Sequence, residues 1–284
     1  GVKGIKVIIL YPSGKVSDIQ EKQLTTLGDN VYALEVEGVF DDCQDMVKTA
    51  FIDKELTNHI NLTSANSINV ARWLPQMFYY IFAFKELGVT HDKLSFSVPS
   101  GNFGNICAGL VARKLGLPID YFVASTNVND IVPTYLKNGE YIPKPSVATI
   151  SNAMDVGNPS NFIRIQNLFD NNFENLKEHF QSYSFNDLQT ISAINELYTK
   201  YNYIADPHGA VAYLGSKTFL ESHHNYHSVF LETAHPAKFL EIVEKTLNLQ
   251  IQLPPQLKSV LNKEKVATKI KDYSGLKNFL LNKD

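Results

Sequence analysis

The first stretch of the chain alternates between two kinds of apolar pattern, and that rhythm constrains the fold more than any other feature. Val7-Ile8-Ile9-Leu10 is a continuous apolar run that stops at the turn Tyr11-Pro12-Ser13-Gly14, which reads as a buried parallel strand. Ser17, followed three residues later by Gln20 and then by Glu21, predicts a capped helix closed at Gly28. Val31 to Val36 reads as a second strand, and Asp41 and Asp42 open a helix in which Met46, Val47, Ala50 and Phe51 keep helical spacing. Strand, helix, strand, helix is the rhythm of a parallel α/β sheet.

The longest regular element is predicted at 69–84, where Val70, Trp73, Leu74, Met77, Phe78, Ile81 and Phe82 form a continuous helical stripe expected to be core. Beyond Gly88, Leu94 to Val98 reads as a strand, Ser100 to Asn105 as a small-residue loop and Ile106 to Leu115 as a helix. A strand follows at 119–124, helices at 129–138, 160–170, 185–201 and 208–219, and a strand at 228–231 leading into a helix with Pro236 in its first turn. The Lys-rich stretch from about Leu253, with Pro254-Pro255, reads as peripheral, and a domain boundary is expected near residue 86, giving domains 1–86 and 87–284.

Composition excludes several classes. With 44% hydrophobic and 19% charged residues in 284, the chain has the balance of a cored protein of roughly two domains. Its net charge is −3, and only Arg72, Arg113 and Arg164 are arginines, which argues against nucleic-acid binding. No run approaches the roughly 18 uninterrupted apolar residues that span a bilayer. Cys43 and Cys107 have no CxxC spacing, so neither a disulfide scaffold nor a zinc site is indicated and a reducing cytoplasm is the expected compartment.

The segment of greatest chemical interest is Gly101-Asn102-Phe103-Gly104-Asn105 between a strand and a helix. Two glycines allow close backbone approach, successive N–H groups point into the turn, and the helix start adds partial positive charge, so the loop reads as a phosphate cradle without a lysine. The competing reading is a structural turn. Asn61 to Arg72 places Thr63, Ser64, Asn66, Ser67 and Asn69 ahead of the aromatic helix, more short polar side chains than an N-cap needs; with Arg72 they suit a second oxyanion. Glu232-Thr233-Ala234-His235 lies where a strand meets a helix, the usual address of ligand contacts in open α/β sheets, although Thr233 and His235 also fit an N-cap and a surface imidazole. His208 after Asp206-Pro207 reads as a helix start, His223, His224 and His227 as a solvated loop rather than a metal tract, and Cys107 either as a thiol activated at a helix start or as a small buried filler.

Five segments taken together, Ser100 to Asn105, Ser64 to Asn69, Thr126 to Asp130, Ser151 to Val156 and Thr233 to Phe239, resemble threonine synthases of the bacterial and fungal type. They occur in family order and the resemblance runs from Val7 to about residue 250. It implies the type II fold of pyridoxal-phosphate enzymes: two three-layer α/β domains with mainly parallel sheets and the cofactor, pyridoxal 5'-phosphate, between them. It assigns Gly101, Asn102, Phe103, Gly104 and Asn105 to the cofactor phosphate and Thr233 to the pyridine nitrogen, and it assigns Asn66, Ser67, Asn69 and Arg72 to the phosphate of the substrate, O-phospho-L-homoserine. The implied reaction eliminates that phosphate and adds water at Cβ to give threonine, with a lysine that holds the cofactor as a Schiff base and shuttles protons. No metal enters the implied site.

In the family that lysine and a Ser-Gly-Asp-Thr-Gly turn for the substrate carboxylate precede the region of resemblance, and the chain opens Gly1-Val2-Lys3 directly into a strand. The sequence therefore reads as a fragment with an incomplete first domain, inactive alone and with an exposed sheet edge open to self-association. Other type II enzymes, such as threonine dehydratase or cysteine synthase, and a non-catalytic ligand-binding or assembly module are the alternatives.

Overall fold

The computed structural model describes residues 2–67, 69–88 and 93–282. In chain order the elements are β1 (Val7–Pro12), α1 (Asp18–Thr25), β2 (Val31–Val36), α2 (Phe40–Ile52), α3 (Lys54–His59), α4 (Trp73–Leu87), β3 (Lys93–Pro99), α5 (Gly104–Lys114), β4 (Tyr121–Thr126), α6 (Ile131–Asn138), α7 (Phe162–Leu168), α8 (Phe173–His179), β5 (Phe180–Ser184), α9 (Asp187–Tyr201), α10 (Pro207–Leu220), β6 (Tyr226–Phe230), α11 (Leu240–Leu247), α12 (Pro255–Leu261), β7 (Thr268–Ile270) and α13 (Tyr273–Leu281). The chain divides into two units, residues 1–63 with 252–284, and residues 64–251.

In the first unit, the described strands form a parallel sheet in the order β1-β2-β7. Ser17 and Gln20 exchange the two hydrogen bonds of a capping box at the start of α1, and the Asp42 carboxylate accepts the Val39 N–H at the start of α2. Leu34 and Val36 of β2 pack with Cys43 and Met46 of α2, Ile270 of β7 and Leu276 of α13. The stretch expected to be peripheral therefore supplies a strand and part of this core. The division differs from the expected boundary near residue 86 for the same reason: the apolar face of β2 is covered by residues from the far end of the chain, while α4 packs on α5 of the second unit. β1 is an outer strand with Val7 exposed, less buried than its apolar run suggests.

The second unit carries a parallel sheet in the order β5-β4-β3-β6. β3 alternates strictly: Leu94, Phe96 and Val98 join Ile106, Leu110 and Phe122 in the main core, while Ser95 and Ser97 face the other way. On that side Ser97 donates to the Ala212 carbonyl at 2.6 Å, and a side chain at Gly215 would collide with the Ser125 hydroxyl. Small residues thus let α10 lie close on the strands. On the core side Gly109 of α5 leaves room for the Tyr80 ring, which a Cβ would meet at 2.5 Å.

α4 is a correction to the sequence reading. Its buried residue is Tyr80, with Trp73, Ala83 and Phe84 packed beside it, whereas Val70, Leu74, Phe78, Ile81 and Phe82 of the expected core stripe are exposed, Phe78 to 52% and Phe82 to 59%. The helix is apolar on more than one face, so periodicity alone does not select the face that meets the sheet.

Candidate active site

In a parallel sheet all strands end on one side, and ligands sit where the strand order reverses. From β3 the chain steps outward to β4 and β5, then returns to the other side of β3 as β6. The reversal falls between β3 and β6, and the loops leaving those two strands are Ser100 to Phe103 and Leu231 to His235. Leu231 N–H donates to the Ser97 carbonyl at 3.0 Å, which keeps the two strand ends side by side.

The loop after β3 is shaped by close contacts. A Cβ on Gly101 would lie 2.7 Å from Met154 Cα and 2.8 Å from the Ala153 carbonyl, and one on Gly104 would lie 2.9 Å from Ser67 Cβ. Phe103 turns the chain with a positive φ of 60° and anchors the turn by burying its ring edge-on to Phe162. Such a backbone is costly for a non-glycine residue and persists only when packing enforces it. Among the described residues, the backbone N–H groups from Gly101 through Ile106 find no protein acceptor. A row of free donors at the start of an eleven-residue helix, over glycines whose side chains would have no room, fits a phosphate group.

Asn102 holds the loop in place. Its amide donates to Ser67 Oγ at 2.9 Å, and its Oδ1 accepts from Ser160 N–H at 2.6 Å and Ser160 Oγ at 2.9 Å. Its carbonyl accepts from the Asn161 amide at 2.9 Å, and Asn161 in turn accepts from Arg164 at 2.8 Å. Asn105 is fixed from below by the buried Tyr80 hydroxyl, 2.9 Å from its Oδ1 and 3.0 Å from its carbonyl. Burial keeps that phenol neutral by raising it well above its ordinary range. None of Tyr80, Ser160 or Asn161 is marked by any sequence motif read above; their roles exist only through the fold.

The polar segment before α4 is partly self-satisfied. Asn69 caps the 3₁₀ turn Val70–Arg72 through Ala71 N–H and donates to the Ser64 carbonyl at 2.8 Å, and Ser67 donates to Asn66. Ser67 reaches the cradle; Arg72 is exposed at the end of the turn. Thr233 is exposed after β6, and the capping role belongs to His235, whose Nδ1 accepts from Ala237 N–H at 3.0 Å.

Two further segments form one network. The Asn127 amide reaches Thr149 at 2.8 Å, Ser151 Oγ at 3.2 Å and Asp155 at 2.8 Å, and Thr149 donates to Asp155 at 2.7 Å. Asn129 also reaches Asp155, at 3.3 Å. Burial raises the Asp155 carboxyl, opposed by these hydrogen bonds from Thr149 and Asn127. The network shapes the 3₁₀ turn Asn152–Met154, on which Gly101 rests.

Cys107 is fully buried and burial pushes its thiol up to about 12, the opposite of activation at a helix start. His223 stacks on Phe219 at 4.0 Å, and no group of three or more metal-ligating side chains forms among the described residues. His208 does start α10, but buried and in contact with Asp206 at 2.6 Å. No described helix is long and apolar enough to cross a membrane.

This fold and cradle define the class: the family model for pyridoxal-phosphate dependent enzymes matches residues 1–229, and the chain belongs to that family. A model for the C-terminal part of threonine synthase matches residues 209–280. The chain is 46% identical over its whole length to threonine synthase of Buchnera aphidicola subsp. Acyrthosiphon pisum, covering 66% of that protein. It is 45% identical over 90% of its length to the Escherichia coli enzyme, covering 59% of it. The crystal structure of Escherichia coli threonine synthase superposes on all of the chain with a TM-score of 0.94 at 42% identity, and 66% of that chain is covered. A pyridoxal-phosphate-bound threonine synthase from Brucella melitensis gives 0.86 at 32% identity over 97% of the chain and 64% of its own. The chain thus spans about two thirds or less of the length of these relatives. Maize serine racemase, at 15% identity and a TM-score of 0.59, shares the fold.

Proposed function

We propose that the protein is a threonine synthase, converting O-phospho-L-homoserine and water to L-threonine and phosphate with pyridoxal 5'-phosphate as cofactor, and that these 284 residues supply its cofactor-phosphate and substrate-phosphate contacts. The observation that carries this reading is the hydrogen bond from Asn102 to Ser67. It joins the cradle to a second anion-binding segment, which is what a phosphorylated substrate beside a phosphorylated cofactor requires.

The N–H groups from Gly101 to Ile106 would take the cofactor phosphate, each charge-assisted hydrogen bond contributing about 1.5–3 kcal/mol. Thr233 would meet the pyridine nitrogen with a neutral hydroxyl, leaving that nitrogen less protonated than a carboxylate would. When bound, the cofactor supplies an electron sink for the charge left by proton loss at Cα and Cβ. Asn66, Ser67, Asn69 and Arg72 would orient the substrate phosphate and stabilise it as it departs from Cγ. The resemblance implies a Schiff-base lysine ahead of the five family segments, and Lys238, the one of the 23 lysines inside those segments, stands in the 3₁₀ turn after Thr233. The Schiff-base lysine is therefore assigned to none of them, and the 284-residue chain alone is expected to be inactive. Two free buried cysteines suit a cytoplasmic enzyme.

Phosphate release from O-phospho-L-homoserine, with threonine formed in equal amount, tests the reading on the complete gene product. Ammonia released from threonine or serine instead would assign it to a dehydratase. A borohydride-reducible lysine adduct with pyridoxal phosphate within the 284-residue chain would refute the assignment of the lysine.

A further inference from the structure

Beneath the site lies a chain of buried ionisable groups that the reaction above does not use. Ala153 N–H points at His208 Nε2 across 3.2 Å. A backbone N–H can only donate, so Nε2 is unprotonated and the ring proton sits on Nδ1, directed at Asp206 Oδ1 at 2.6 Å. The same oxygen accepts His208 N–H at 2.7 Å, capping α10. Asp206 N–H donates to Glu232 Oε1 at 2.9 Å. That leaves Asp206 Oδ2 and Glu232 Oε2, both sealed from solvent and both without a hydrogen-bond partner among the described residues.

One proton held between the two carboxyl groups would give each of these oxygens a partner, whereas two ionised carboxylates buried side by side would repel. Burial acts to raise Asp206, but its bonds from His208 win and hold it low; Glu232, half-buried beside it, is pushed up to about 9, first by burial and then by the Asp206 carboxylate. The proton therefore belongs to Glu232. Gly209 makes the arrangement possible, because any side chain there would occupy the space of Glu232 Oε2. Glu232 immediately precedes Thr233, and Ala153 and Met154 form the surface against which Gly101 packs.

We propose that Glu232 is a positioning residue that works as a neutral carboxylic acid: its bond to Asp206 fixes the end of β6 that carries Thr233 and, through His208, the Ala153–Met154 turn under Gly101. The proposal rests on the reading of Gly101 to Asn105 and Thr233 as the cofactor seat. The titratable groups facing Glu232 are Asp206 and His208 at the head of α10 and Tyr203 in the segment before it. As pH rises and Glu232 ionises, two carboxylates face each other, the bond opens and the seat loosens.

Pyridoxal phosphate titrated into the 284-residue chain and followed by phosphorus NMR is the test. Glu232→Gln keeps one donor and one acceptor in place, so it is expected to bind within about twofold of the unaltered chain at neutral pH. On going to about pH 10 the unaltered chain is expected to weaken about tenfold relative to Glu232→Gln, as one interaction tied to a single ionisation is lost. The ligand's own ionisations are common to both proteins and cancel in that ratio. Glu232→Ala and Gly209→Ala should weaken binding at every pH. Carbon-13 NMR of the Glu232 carboxyl, which needs neither cofactor nor variant, should find it protonated at neutral pH. Binding by Glu232→Gln as weak as by Glu232→Ala, equal pH profiles for the unaltered chain and Glu232→Gln, or an ionised Glu232 at neutral pH would each overturn the proposal. Failure of the unaltered chain to bind at any pH would remove the cofactor reading itself, and the positioning role with it.

Discussion

The side-chain amide of Asn102 donates to the Ser67 hydroxyl at 2.9 Å, so the loop that ends β3 and the polar segment ahead of α4 are one hydrogen-bonded structure. The same side chain takes two hydrogen bonds from Ser160. Replacing Asn102 by Ala would strand the Ser160 N–H and free the loop, at a cost of about 2 kcal/mol in stability. Thermal unfolding of the variant, together with at least tenfold weaker pyridoxal-phosphate binding by titration, is the expected outcome (about 1.4 kcal/mol per factor of ten).

Gly101→Ala would drive a methyl group into Met154 Cα and the Ala153 carbonyl, both backbone atoms that cannot swing aside. Overpacking of this kind costs about 1–3 kcal/mol. The variant is expected to unfold at lower denaturant concentration with an unchanged slope, and its cradle to lose phosphate affinity.

Tyr80→Phe removes a buried hydroxyl that bridges the carbonyl and side-chain oxygen of Asn105. The ring and its packing against Phe96 and Phe122 remain, so the loss should be limited to about 1–2 kcal/mol. Hydrogen exchange of Cys107, whose N–H donates to the Phe103 carbonyl at 3.1 Å at the start of α5, should accelerate more than exchange in β3.

Truncation after Ile251 removes β7 and α13, and with them Ile270 and Leu276 from the core of the first unit. Residues 1–63 are expected to lose protection from proteolysis while residues 64–251 keep theirs. Limited digestion followed by mass spectrometry distinguishes this from the outcome of removing a peripheral segment, which would leave residues 1–63 protected as well.

Glu232 also sets a pH dependence of stability. Its carboxyl is raised from 4.5 to about 9 in the folded chain, so between those values the folded state keeps a proton that the unfolded state has released. Its contribution is complete below about 4.5 and falls as pH rises, by up to about 1.4 kcal/mol per unit, until it levels off above about 9. Asp206, held low, contributes in the opposite sense on the acid side. Denaturant unfolding of Glu232→Gln across this range should lack the decline seen in the unaltered chain.

Much of the strand scaffold of both units is legible from local pattern. The strand at Val31–Val36 matches residue for residue, and those read at 94–98 and 228–231 fall within one or two residues of β3 and β6. β5 escapes because its inward residues are Phe180 and Ser182, too short and too mixed an alternation to register, and β7 because only Ile270 of its three residues is buried. The cradle is legible because its chemistry lies in consecutive residues. Its supports are not: Ser67 lies 35 residues away from Asn102, and Ser160 58.

The sequence by itself determined the alternation of strands and helices, the glycine-rich turn between β3 and α5, and the order of the family segments, because backbone preference and steric freedom act over a few neighbouring residues. Tertiary structure decided which face of α4 is buried, that residues 252–284 complete the first unit, and that Glu232 retains a proton next to Asp206. Burial and local electric field are set by whatever else the chain brings alongside, and residues far apart in sequence supply them.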